Sequence, residues 1–170
     1  MTTVIGGELH KRDLAGPTDR LLQASGVFHL NGAVCDVTFS DEQGVSDFLD
    51  FYFAHGSSEV VARLYLTPQG ERFPSANMRF QFDRDHQVAA AVLIAADRDN
   101  QQYSWMTRGN AGRDDVCLAH DTWNVADTRM PPEAFITVPE LREAITQWVV
   151  GDVLPPGPAR WAEVPEVRWF

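Results

Sequence analysis

From residue 33 onward, hydrophobic and polar positions alternate with clear strand and helix periods. Apolar side chains alternate with polar ones from Ala33 to Ser40, which is the period-two pattern of a β-strand. A helical pattern follows, with apolar residues three and four positions apart. Ser40 and Gln43 predict a capping box at the start of this helix, and Gly56 predicts a left-handed residue at its end. The apolar stripe of the helix consists of Val45, Phe48, Leu49, Tyr52 and Phe53.

The middle of the chain predicts short strands joined by polar turns. Two of the turns share the pattern Asp-Arg-Asp, at residues 83–85 and 97–99, and a third runs from Gly109 to Gly112. Because such short connections join neighbouring strands, we expect antiparallel pairing. The candidate strands are Glu59 to Leu66, Met78 to Phe82, Val88 to Ala96, Gln101 to Thr107, Asp114 to His120 and Thr122 to Ala126.

A second helix is predicted near the C-terminus. Thr137 and Glu140 have the spacing of a capping box, and Pro139 falls in the first turn, where its missing N–H costs nothing. Gly151 is predicted to end this helix, and a short closing strand is predicted from Arg160 to Val164. The apolar stripe consists of Leu141, Ala144, Ile145, Trp148 and Val149.

These elements predict an α+β fold, an antiparallel meander sheet with two packed helices. Residues 1–32 contain several turn-forming glycines and a proline, and Thr18 to Ala24 has the potential for about two turns of helix. We therefore interpret residues 1–32 as an N-terminal arm and residues 33–170 as a single domain. A chain of 170 residues is of ordinary size for one hydrophobic core.

The charge balance bears on which class of partner the protein binds. The chain has 14 Lys and Arg against 24 Asp and Glu, a formal net charge of −10. Direct nucleic-acid binding is disfavoured, because phosphate contacts require a positive surface. An acidic surface instead attracts basic partners, although the same charge also serves solubility alone.

Several sequence features favour the cytoplasm. No apolar run approaches the roughly 20 residues of a membrane span. Met1 to Glu8 lacks the pattern of a secretory signal. Two cysteines, Cys35 and Cys117, without a CxxC spacing, favour a reducing compartment over a disulfide scaffold.

Motifs for cofactor or metal chemistry are not evident, and we predict neither. Nucleotide-binding glycine patterns are absent, and the five histidines have no zinc-ligand spacing. The two Asp-Arg-Asp turns resemble half of a calcium loop but lack its glycine and distal glutamate. The most enzyme-like pair is His120 with Asp121, in which the imidazole could serve as a general base beside a carboxylate.

The last third of the chain contains an apolar-Pro-Pro turn at Met130 to Pro132, the segment from Val138 to Ala144, and the later Trp148, Gly151, Pro156 and Trp161. With these residues it resembles a family of immunity proteins from bacterial polymorphic-toxin systems, of an actinobacterial type often paired with deaminase toxins. The resemblance implies a protein that neutralises a cognate toxin.

The toxin-binding hypothesis implies a contact surface. An acidic protein can occupy the basic cleft of a nucleic-acid-acting toxin as a phosphate mimic. We chose candidate contacts by charge and expected exposure: Asp97, Asp99, Asp114, Asp115, Asp121 and Trp123. The alternative hypothesis is a co-opted small-molecule enzyme of a biosynthetic pathway that uses His120 and Asp121 as an acid/base pair.

Overall fold

The protein has ten strands and two α-helices in the computed structural model, which describes residues 8–17, 19–56, 60–121, 128–157 and 159–165. The helices are α1, Glu42–His55, and α2, Val138–Val150. The strands are β1 Leu9–His10, β2 Leu22–Leu30, β3 Ala33–Phe39, β4 Ala62–Pro68, β5 Ala76–Asp83, β6 Val88–Ala96, β7 Gln102–Arg108, β8 Ile136–Thr137, β9 Val153–Leu154 and β10 Arg160–Glu163.

An eight-stranded antiparallel sheet organises the molecule and confirms the predicted α+β class. Its strands lie in the order β10-β7-β6-β5-β4-β2-β3, and β8 pairs with the start of β6. β4 to β7 form the predicted meander. β1 and β9 pair separately. The chain leaves β3 at the edge, passes through α1 and re-enters the sheet at β4, with β2 between.

Both helices contribute to one hydrophobic core on one face of the sheet. Trp148 of α2 and Tyr52 of α1 are fully buried in this core. The helices are also joined at their surface, where Arg142 Nη2 donates to Asp50 Oδ1 at 2.6 Å. On the opposite face, alternate side chains of β6 such as Val92 pack against Leu118 and residues 130–135. The sheet is therefore covered on both faces near β6.

Residues 22–30 correct the interpretation of residues 1–32 as an arm. β2 lies inside the sheet, hydrogen-bonded to β3 on one side and to β4 on the other. Thr18 to Ala24 is not the predicted helix, since Leu22 begins this strand. Ala24 and Phe28 are buried on the helical side of the sheet, so this part of the segment belongs to the core. The hydrophobic pattern of this segment is too weak to predict a strand, and it is the pairing with β3 and β4 that makes it one.

Three further strand predictions have different outcomes. Asp114 to His120 is irregular rather than a strand, and within the described ranges its β-pairing is limited to an isolated bridge between Ala119 and Arg129. The predicted strand from Thr122 to Ala126 lies outside the described residues. The closing strand is confirmed as β10, which pairs with β7.

The helix boundaries confirm one capping prediction and correct another. Thr137 and Glu140 form the predicted capping box, and Gly151 is the C-cap of α2. In α1 the N-cap is Asp41, not Ser40, and its carboxylate accepts from Gly44 N at 2.8 Å. Gly56 has φ −65°, so it is not left-handed. Glycine is required there for space, because a Cβ would lie 2.6 Å from the Tyr52 carbonyl oxygen.

Candidate functional site

The acidic residues predicted to form one contact surface lie at two ends of the sheet. Asp97 and Asp99 occupy the turn between β6 and β7, while Asp114 and Asp115 follow β7 at its other end. β6, with its nine residues, separates these ends by about 27 Å, at roughly 3.4 Å per residue. The four carboxylates therefore do not share a single patch.

Asp97 is used to build its own turn. Its carboxylate accepts hydrogen bonds from the backbone N–H groups of Asp99 and Gln101, each at 2.9 Å, and from the Tyr103 hydroxyl at 3.0 Å. Asn100 completes the turn with a left-handed φ of 58°, a conformation that asparagine tolerates better than most residues. The Asp97 carboxylate is therefore already hydrogen-bonded within its own turn, and a toxin contact would have to share it. Asp99 is exposed.

At the other end of the sheet, His86 connects two acidic segments. Its Nδ1 lies 2.8 Å from Asp83 Oδ1, and its Nε2 lies 3.6 Å from Asp115 Oδ2. Arg113 holds Asp115 through two hydrogen bonds of 3.0 and 3.1 Å. The β5–β6 turn and residues 113–115, which are distant in sequence, are thereby brought together.

We call Asp83, Asp85, Asp114 and Asp115 the acidic cluster. Partial burial raises the pKa of Asp83, but the hydrogen bonds and charge of His86 outweigh it and hold the pKa below its ordinary value. The hydrogen bond from Arg113 lowers the pKa of Asp115. Asp85 and Asp114 are exposed, and neither forms an ion pair with another residue in the described ranges. Their negative charge is directed into solvent.

His120 and Asp121 lie elsewhere, against the sheet face opposite the helices. Gln81 of β5 fixes this segment, because its Oε1 accepts from Ala119 N at 2.7 Å. His120 N donates to the Thr128 carbonyl oxygen at 3.1 Å. Asp121 is only 7% exposed, so its selection as an exposed toxin contact is corrected.

Polar side chains of β4 and β5 meet this segment, and we call the group the buried polar cluster: Arg63, Asn77, Arg79, His120 and Asp121. Arg63 Nη2 lies 3.8 Å from Asp121 Oδ1. Asn77 and Arg79 are each 2% exposed. Among the described residues, Asn77 Oδ1 and His120 Nδ1 are buried without a hydrogen-bond partner. Buried polar atoms are usually paired, so these two are exceptions within the described ranges, as is Trp148 Nε1 in the core.

The electrostatics of the cluster favour a neutral imidazole. Burial lowers the pKa of His120, the nearby Arg79 lowers it further, and Asp121 acts in the opposite direction. Burial likewise lowers the pKa of Arg79, with Arg63 adding to the effect and Asp121 opposing it. A neutral histidine with a buried ring nitrogen can accept a proton or a hydrogen bond, which is the chemistry of a general base.

Sequence reasoning identified His120 and Asp121 but missed their neighbours on the sheet. Arg79 and Gln81 alternate with apolar residues along β5, a pattern that normally places polar side chains in solvent. Their burial comes from chain segments remote in sequence, including Leu118 to Asp121. Trp123, a predicted contact, lies outside the described residues.

Two other kinds of site are not found in the described ranges. No group of three or more histidine, cysteine or acidic side chains there could hold a metal ion. Neither described helix combines the length and apolarity needed to cross a bilayer.

Comparisons with known proteins give no family. No family model matches the chain, and no curated protein matches it. A search of solved structures finds a hypothetical protein from Neisseria gonorrhoeae with 9% sequence identity and a TM-score of 0.45; the match covers 79% of this chain and 90% of that one. The residues described above are therefore the basis for any functional conclusion.

Proposed function

We propose that this protein is an immunity-type binding protein that neutralises a cognate bacterial toxin in the cytoplasm. The toxin would be a nucleic-acid-acting enzyme, of the deaminase class that the sequence resemblance implies, and its basic cleft would receive the acidic surface. The observation that supports this proposal most is the acidic cluster, in which Asp85 and Asp114 present carboxylates that no described ion pair neutralises.

The net negative charge of the whole chain also favours binding to a basic toxin. A net charge of −10 attracts a basic protein over a distance of about one Debye length, roughly 10 Å at moderate salt. Such steering raises association rates by about ten-fold or more at low ionic strength. Direct binding of this chain to nucleic acid would be opposed by the same charge.

Co-expression with the product of the neighbouring gene tests the proposal. We expect the two proteins to purify as a stable complex, and we expect the growth arrest caused by the neighbour alone to be relieved. A neighbour that is not toxic, or a toxic neighbour that neither binds nor is neutralised, would contradict the toxin-binding function.

The contribution of the acidic cluster is tested by Asp85→Asn combined with Asp114→Asn. We expect the association rate with the toxin to fall about three- to ten-fold at low salt, with little change in dissociation rate. Asp19→Asn combined with Glu143→Gln is the matched control, because it also removes two charges, at exposed acidic residues outside the cluster. An equal loss in the control would attribute the effect to net charge rather than to this cluster.

A second candidate function is a small-molecule enzyme centred on the buried polar cluster. It is favoured by one observation, the two buried atoms Asn77 Oδ1 and His120 Nδ1 that lack partners in the described ranges. His120 would act as the base, with Asp121 beside it. Native mass spectrometry of the purified protein should then show a bound small molecule that His120→Phe releases. A ligand-free protein under these conditions would remove the support for this candidate.

A further inference from the structure

A cleft of about 480 Å³ runs beside the outer edge of the sheet, between β3 and α1. Val34 and Val37 line it from β3, and Phe51 lines it from α1. These side chains are 58%, 40% and 44% exposed, respectively. Val37 and Phe51 form an exposed apolar surface on the side of the sheet that carries the helices, whereas Val34 alternates with Val37 and lies on the other face of β3.

In the described part of the chain, β3 forms the edge of the sheet at this cleft. β3 pairs with β2 along all seven residues, and no described strand pairs with its other side. Natural edge strands are usually protected by shortness, proline, lysine or several charges. The opposite edge follows this rule, since β10 has four residues with exposed Arg160 and Glu163 at its ends. β3 has no proline or lysine, and Asp36 is its one charged residue.

Acidic side chains border the same cleft. Asp36 lines it from β3 and Asp47 lines it from α1, and both are exposed. A basic residue of an incoming strand would meet Asp36 while its apolar neighbour, pointing to the other face, enters the cleft beside α1. A second copy of this chain is a poor fit, because each copy has a net charge of −10 and would bring its own acidic border to the contact.

We propose that β3 accepts an extended segment of a partner protein in which basic and apolar residues alternate. The segment would add a strand to the sheet, with backbone hydrogen bonds to the free edge of β3. Its apolar side chains would pack on Val37 and Phe51 on the helical side of the sheet, and its basic side chains, on the other side, would pair with Asp36. Asp47 on α1 would add negative charge at the same edge. This site is separate from the acidic cluster and does not depend on the partner being a toxin.

The experiment measures fluorescence anisotropy of a labelled peptide, of the same length as β3, that alternates arginine and valine. We expect saturable binding to the full-length protein and slower amide hydrogen exchange in Ala33–Phe39. The same peptide with alternate residues N-methylated should bind at least about ten-fold more weakly, since it cannot form the strand ladder. A peptide that alternates glutamate and valine should not bind.

Variants of the protein locate the binding site. Phe51→Ala should weaken binding about ten-fold or more, which is the effect of removing a phenylalanine contact. Phe73→Ala is the matched control, because Phe73 is 76% exposed and does not line the cleft. Val37→Ser repeats the test on β3, at a side chain that is 40% exposed. Asp36→Asn with Asp47→Asn should weaken binding and reduce its dependence on salt.

Four outcomes would overturn the proposal. They are no binding of the arginine–valine peptide, equal binding of the glutamate–valine peptide, equal losses in Phe51→Ala and Phe73→Ala, and self-association of the protein through β3. Sedimentation velocity with Val37→Lys detects the last of these, since a dimer formed through β3 would dissociate in that variant. A failed toxin assay together with peptide binding at β3 would reject the proposed function and leave this site supported.

Discussion

The side-chain oxygen of Gln81 accepts a hydrogen bond from the backbone N–H of Ala119, 2.7 Å away. Both residues are buried, Gln81 with 5% and Ala119 with 2% exposure. This bond attaches the irregular segment that contains His120 and Asp121 to β5. This side chain of the sheet thus contributes to positioning the predicted His–Asp pair, together with the bond from His120 N to the Thr128 carbonyl oxygen.

Gln81→Met is therefore expected to be destabilising. Methionine fills a similar volume but leaves the Ala119 N–H buried without its acceptor, at a cost of about 1–3 kcal/mol. The free energy of unfolding, measured by urea denaturation, should fall by this amount. Gln147→Met on the exposed side of α2 is the control and should change it by less than about 0.5 kcal/mol. Equal stability of the two variants would show that the Gln81 bond contributes nothing.

The start of α1 gives a second prediction. Asp41, not Ser40, is the N-cap, with its carboxylate 2.8 Å from Gly44 N. Asp41→Ala should cost about 1 kcal/mol of unfolding free energy, the usual loss when a helix cap is removed. Ser40→Ala should cost much less, since Ser40 is exposed and is not the cap. A larger loss in Ser40→Ala than in Asp41→Ala would instead support the capping box predicted from the sequence, with Ser40 as the N-cap.

Local signals explain which elements the sequence predicted well. Both partners of the α2 capping box, Thr137 and Glu140, lie within one turn, so the pattern depends on nothing remote. β6 is a continuous apolar run buried on both faces, which its composition makes evident. The cap of α1 was misplaced by one residue because Ser40 and Asp41 are both good N-cap residues, and only the backbone geometry decides between them.

Long-range packing explains what the sequence did not show. β2 contains Gly26, where a Cβ would lie 2.7 Å from the Phe48 ring, so this strand favours a small residue for close contact with α1. The need for a small residue at position 26 follows only from the position of α1, so the sequence alone does not predict it. The buried polar cluster is similar, because Arg79 on an alternating strand indicates a solvated face until residues 118–121 are placed over it.

Lys11, the only lysine of the sequence, gives a third prediction. Burial lowers its pKa from 10.5 to about 8, while the charge of Asp152 raises it in part. Lys11 Nζ also donates to the Val149 carbonyl oxygen at 3.1 Å. Titration of the ε-amine, followed by NMR, should have its midpoint near pH 8.

The Asp152→Asn variant extends this test. Loss of the carboxylate charge should lower the Lys11 pKa further, because Asp152 is the one group that raises it. Lysine amines in solvent titrate near pH 10.4. A midpoint near that value in the unmodified protein would mean that Lys11 is hydrated and not buried against α2.

The last prediction concerns His120 and acid. Burial and the nearby Arg79 hold the His120 pKa below its ordinary value of 6.5, although Asp121 opposes them. In the unfolded chain the imidazole binds a proton once the pH falls below about 6.5, whereas in the folded protein it binds one only at lower pH. The unfolded state therefore binds more protons in this window. Stability due to neutral His120 is present above 6.5 and is lost as the pH falls through the folded pKa.

The test compares His120→Gln with the unmodified protein in urea denaturation from about pH 7.5 to about pH 5. The variant should lose less unfolding free energy over this range, because glutamine does not titrate. His29→Gln is the control, since His29 is exposed on β2. The acidic groups Asp83 and Asp115, whose pKa values lie below 3.8, do not contribute to the change in this window. A stability difference between His120→Gln and the unmodified protein that stays constant with pH would mean that His120 is not held neutral by burial.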